Sequence, residues 1–197
     1  MKLLFKSLVI AFVLSIVFSM IPFSAQCENL SEEVFRLHIL ADSDSQEAQS
    51  LKLKVRDEVL NYTQRLYKNA NSVGEAESLS AENLDKIARV AYKTVEREGV
   101  SMPVKAEIKR MYFNTRHYGK VTMPSGFYKA LRITIGEGRG HNWWCVMYPS
   151  LCVGASTNYD ELKSKTSDDE YKMMTDDGYE FKFKIVEYFE NICSLFS

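Results

Sequence analysis

The hydrophobic repeat changes period at Asp42, and that change fixes what the chain can build. From Val34 to Ala41, Phe35, Leu37 and Ile39 alternate with Arg36 and His38, the period-two pattern of a half-buried strand. Asp42, Ser43, Asp44 and Ser45 interrupt it with side chains that cap helices, and Gln46 follows Ser43 at capping-box spacing. Ala48, Leu51, Val55, Val59, Tyr62 and Leu66 then recur at steps of three and four, one face of a long helix. Lys52, Lys54, Arg56, Asp57 and Glu58 are expected to solvate its other side. Ser72 with Glu75 opens a short helical turn to about Ser80, and Leu84, Ile87, Ala91 and Val95 carry a further helix that Gly99 ends. Period two then returns, at Val104, Ala106 and Ile108, at Leu131, Ile133 and Ile135, and in the segment Trp143–Tyr148. A strand, helices and three more strands predict an α+β fold, with helices packed on one face of a mostly antiparallel sheet.

The two ends read differently from this middle. Lys2 and Lys6 precede an apolar run from Leu8 to Ile21, Pro22 breaks it, and the small residues Ser24 and Ala25 follow. Residues 1–25 therefore read as a signal peptide, cut after Ala25 or after Cys27, or as an uncleaved N-terminal anchor. Either way the rest is expected to be exported, with the membrane met only through this segment. Residues 30–153 form the folded domain. Residues 154–178 read as a polar linker, and 179–197 as a C-terminal amphipathic helix with Phe181, Ile185, Tyr188, Phe189 and Ile192 on its apolar stripe.

Charge and motifs exclude several function classes. A formal net charge of −1 leaves no basic face for nucleic acid. Gly136, Gly138 and Gly140 superficially match a dinucleotide loop, but that loop needs a helix after its last glycine and here a strand follows. A hairpin connection is the better account. Asp42 and Asp44 resemble the start of a calcium loop, yet Glu47 stands where the loop needs glycine. No metal, cofactor or catalytic residue is expected. The sharpest enzyme alternative is a secreted hydrolase of peptide or cell wall with Cys145 as nucleophile. His141 lies roughly 13 Å away along a strand, His117 is a second candidate base that could approach from a neighbouring turn, and the apolar neighbours Trp144 and Val146 dull a thiol. His38, among apolar residues, is expected to be a satisfied structural histidine.

The segment Gly136–Cys152 holds both tryptophans and two of the four cysteines. Trp143 and Trp144 are adjacent, so on a strand they face opposite sides. One is expected in the core and the other, with Arg139 and Asn142, at a partner-binding surface, because tryptophan and arginine dominate interface hot spots. Export permits pairing of Cys145 with Cys152 as a disulfide; two buried free thiols are the alternative.

The run Arg36-Leu37-His38-Ile39-Leu40-Ala41-Asp42-Ser43-Asp44, with Leu51-Lys52 and Val55-Arg56-Asp57, resembles the N-terminal signature of the stage II sporulation protein R family. Pro124 to Ile135, Gly136 to Gly140, Asn142-Trp143-Trp144-Cys145-Val146, Pro149 and Leu151-Cys152 resemble its second signature, so the likeness covers about residues 33–153. Ser125 departs from the family's usual alanine, Ser150 replaces the second of two prolines, and His141 stands where smaller residues are common. The resemblance implies a signal of endospore formation, made in the forespore and secreted into the space between the two septal membranes. There such proteins trigger a membrane-embedded aspartic protease, stage II sporulation protein GA, which matures the mother-cell sigma-E precursor. It implies no cofactor and no catalytic residues.

Overall fold

The computed structural model of the chain describes residues 2–153, 156–157 and 159–194. In chain order the elements are α1 (Lys2–Glu32), β1 (Phe35–Leu40), α2 (Gln46–Leu66), α3 (Val73–Glu82), α4 (Leu84–Arg97), β2 (Val104–Phe113), β3 (Arg116–Tyr118), β4 (Val121–Met123), β5 (Gly126–Ile135) and β6 (Asn142–Tyr148). A short pair, β7 (Cys152–Val153) and β8 (Ser156–Thr157), then leads to α5 (Tyr159–Lys165), α6 (Asp168–Thr175) and α7 (Asp177–Ser194).

The architecture is α+β around a four-stranded mixed sheet of order β2-β5-β1-β6. β1 runs parallel to β5 and antiparallel to β6, and β2 runs antiparallel to β5. One face follows the expected pattern. Phe35, Leu37, Ile39, Leu131, Ile133 and Ile135 pack under Leu51, Val55 and Val59 of α2, Ala76 of α3, and Ile87, Ala91 and Val95 of α4.

The opposite face is covered as well. Tyr128, Ala130, Val146 and Phe113 pack with Phe23, Cys27 and Leu30 of α1, Val121 and Met123 of β4, Leu162, Met173, Met174, and Phe183 and Val186 of α7. Residues 154–178 are therefore not a linker where they are described. α5 and α6 fold within them, Ser167 and Glu170 close a reciprocal capping box, and the few apolar side chains, Leu162, Met173 and Met174, all turn inward. The polar composition belongs to their solvated outer sides. The buried stripe of α7 is also displaced from the expected one: Phe183 and Val186 are buried, whereas Phe181 and Tyr188 are exposed. The side chains of Phe189 and Ile192 lie outside the described residues.

Three local expectations are corrected. Pro22 does not end the first helix, which runs through it to Glu32. A proline costs a helix interior about 3 kcal/mol, and the burial of Phe23, Cys27 and Leu30 in the next turns offsets it. Cleavage after Ala25 or Cys27 would thus withdraw side chains that the second core contains. Among the described residues no helix is long and apolar enough to cross a membrane. The N-cap of α2 is Ser45, whose hydroxyl accepts from the Ala48 amide, rather than Ser43. Lys52 and Arg56 are buried, not solvated, for a reason that lies in the site.

Candidate functional site

β5 and β6 are consecutive in the chain but not neighbours in the sheet, because β1 lies between them. The glycine segment is therefore no hairpin. It crosses the C-terminal end of β1 and is held against the Ala41–Asp44 turn. The amide of Glu137 donates to the Asp42 carboxylate at 2.8 Å, and that of Arg139 to the Asp42 carbonyl at 3.1 Å. The Gly140 amide donates to the Ala41 carbonyl at 2.9 Å, and the His141 amide to the Asp44 carboxylate at 2.6 Å.

The glycines make this approach possible. A Cβ on Gly136 would lie 2.1 Å from Asp42 Oδ1, and one on Gly140 would lie 2.1 Å from the Ser43 carbonyl oxygen. Gly136 and Gly138 also take φ of 58° and 65°, a region that side-chain-bearing residues seldom enter. From below, Lys52 Nζ donates to the His141 carbonyl at 2.8 Å and to Gln49 Oε1, and the Gln49 amide donates to the Ser43 carbonyl at 2.9 Å. Burial pushes the Lys52 amine below its ordinary pKa. The backbone and side-chain hydrogen bonds of His141 hold the Asp44 carboxyl below its usual range, with Lys52 adding to the effect. Sequence reasoning read Asp42, Ser43 and Asp44 as caps and Lys52 as a solvated cation. They are instead the latch that holds the loop, and the only sequence signal for this was their place in the first signature block.

The two tryptophans take opposite sides of β6, as alternation requires, but neither is fully exposed. Trp143 packs against the helix-side core, with the Arg56 guanidinium 4.3 Å from its ring centroid. This cation–π contact is what draws Arg56 out of solvent. Trp144 lies on the other face. Its ring stacks on His38 with centroids 3.9 Å apart and planes 8° apart, and meets the edge of Phe113 at 4.7 Å. The Arg116 guanidinium stands 5.5 Å from the same ring. Beside Trp144 an open concavity of about 680 Å³ is lined by Leu40, Arg116, Arg139, His141 and Asn142 among others. Of the four partner-binding candidates, Arg139, Asn142 and Trp144 come together here; Trp143 does not. Arg116, reached from β3, had no signal in the sequence.

His38 is structural but not satisfied. It is 3% exposed, and neither ring nitrogen makes a hydrogen bond of good geometry among the described residues, Asn142 being the polar side chain that acts on it. Burial, with Arg132 nearby, lowers its pKa from 6.5 to about 4, and the Asn142 side chain opposes this. The ring is therefore a neutral stacking partner at neutral pH.

The thiol-hydrolase constellation is not assembled. Cys145 is fully buried and disulfide-bonded, so it offers no thiolate. The side chain of its expected partner Cys152 lies outside the described residues. His141 is tied to Asp44, and His117 Nδ1 lies 3.0 Å from the Thr122 hydroxyl. Among the described residues no cluster of His, Cys, Asp and Glu side chains could hold a metal ion.

Residues 31–158 match the family described as Stage II sporulation protein R. The chain is 31% identical over 187 residues to Stage II sporulation protein R of Bacillus subtilis (strain 168), an alignment spanning 84% of each chain. No solved structure matches.

Proposed function

The chain belongs to the stage II sporulation protein R family and serves in sporulation; from that premise we propose that it is an exported signal that works by docking. Its target is the membrane-embedded aspartic protease stage II sporulation protein GA, met in the space between forespore and mother cell. By preferring the protease's active state it starts maturation of the sigma-E precursor. One observation carries this reading. The two signature blocks of the sequence meet in space, where Asp42, Asp44 and Lys52 clasp the glycine loop and thereby set Trp144, Arg139 and Asn142 around one open concavity. Such construction positions a recognition surface. The hydrolase alternative has no observation in its favour.

The test is reconstitution of precursor processing from the full chain, the protease and the precursor. Trp144→Ala should abolish processing. Trp143→Phe, a change on the opposite face of the same strand, should leave it close to normal. Normal processing by Trp144→Ala protein that retains its fold would remove the concavity as the contact.

A further inference from the structure

The charges around the concavity nearly cancel, and the remainder is informative. Arg139 pairs with Glu137 at 2.8 Å, Arg132 approaches Glu107 at 3.7 Å, and Asp44 is engaged by His141 and, through its charge, by Lys52. Arg116 has no ion-pair partner among the described residues, and its buried Nε has no hydrogen-bond partner. Buried polar groups are ordinarily paired, so a guanidinium that lines the concavity with a buried, unpaired Nε and no ion pair among the described residues marks a place that a ligand completes.

We infer that the concavity seats one carboxylate side chain of an acidic peptide segment, paired with Arg116 and lying over the Trp144 ring. A guanidinium takes a carboxylate bidentately, and one negative charge balances Arg116, the lining cation without an ion pair among the described residues. A phosphate dianion would instead bring a surplus charge against Asp44 and Glu137 on the rim. This inference rests on the docking reading above and adds the chemistry of what is docked: a Glu or Asp on the exported face of the protein partner.

The experiment uses the full chain in neutral detergent and follows tryptophan fluorescence on titration with end-capped hexaglutamate, and separately with hexalysine. Saturable binding of hexaglutamate alone is expected, weakened by added salt. Arg116→Gln should weaken it by about tenfold, and Arg116→Lys, which keeps the charge, by less. Equal binding to wild type and Arg116→Gln, or equal binding of both peptides, overturns the inference. So does Arg116-dependent binding to phosphatidylglycerol vesicles without binding to hexaglutamate, which would make the ligand a membrane surface. Processing assays separate the two levels. If Trp144→Ala stops precursor processing while Arg116→Gln neither binds hexaglutamate less well nor processes less, the carboxylate inference alone fails. If the wild-type chain never starts processing, the docking reading itself fails.

Discussion

The two faces of the central sheet are built from the same strands on different principles. On the helix side, β1 contributes Phe35, Leu37 and Ile39 to an ordinary aliphatic core. On the other side the same strand contributes Arg36 and His38, and these are just as buried, at 0% and 3% exposure. Among the described residues Arg36 meets no carboxylate. Its guanidinium lies 4.0 Å from the Phe113 ring and 4.6 Å from that of Tyr128, and Nη2 donates to the Tyr118 hydroxyl at 2.6 Å. His38 stacks on Trp144 and meets Phe113 edge-on at 6.4 Å. Strict alternation of apolar and polar residues thus does not mean that one face meets water, because flat cations and imidazoles can be buried against rings.

The largest effects should test whether the second face is a core in the same sense as the first. Phe35→Ala on the helix side is expected to cost about 3–5 kcal/mol in denaturant unfolding, as for other buried phenylalanines. Phe23→Ala should cost nearly as much, because Phe23 is 6% exposed and stacks on Phe183 with centroids 5.5 Å apart. A Phe23→Ala cost below about 1 kcal/mol would break the comparison. The second core would then begin after the N-terminal segment, and removal of that segment would leave it whole.

A smaller effect concerns acid. His38 is held at a pKa of about 4 against the ordinary 6.5, so the unfolded chain takes up a proton between these values that the folded chain refuses. Stability should therefore rise with pH from 4 to 6.5 and be independent of this group above that. The loss on acidification should be on the order of 3 kcal/mol. His38→Phe keeps an aromatic ring against Trp144 and should abolish this part of the acid limb. An unchanged pH profile in that variant would show that His38 reaches solvent more easily than its burial implies. The helix-side core, which has no buried histidine, supplies no such dependence.

What the sequence displayed follows the same division. The helix-side face was legible because aliphatic residues at periods of two and 3.6 have one interpretation each: β1, α2, α4, β2, β5 and β6 all lie where the repeats placed them. The second face was hidden because its covering pieces are short and mostly polar. Leu162, Met173 and Met174 are too few to show a period, yet burial needs only one inward side chain per turn. Within the site, Trp144, Arg139 and Asn142 were visible as rare chemistry in one segment. Asp42, Asp44 and Lys52 were not, since each has a sufficient local explanation as a cap or a solvated charge. Their actual partners lie far along the chain, and no local pattern records the insertion of β1 between β5 and β6 that brings them together.

The smallest effect is the most discriminating. Arg36→Leu removes the charge from the second core while keeping much of the volume. Burying a guanidinium costs several kcal/mol of hydration, while the aromatic contacts and the bond to Tyr118 return a similar amount, so the net change in stability should stay within about 1 kcal/mol of zero. Tyr118→Phe alone should cost about 1.5–3 kcal/mol, because it deprives a buried cation of its one hydrogen-bond acceptor among the described residues. In the Arg36→Leu background the same tyrosine change should cost almost nothing, and the difference between the two costs is the coupling energy of the pair. A coupling near zero would mean that Arg36 is solvated by something other than Tyr118. A strongly destabilising Arg36→Leu would mean that the aromatic cage needs its cation, and that the two faces differ in what holds them together as well as in composition.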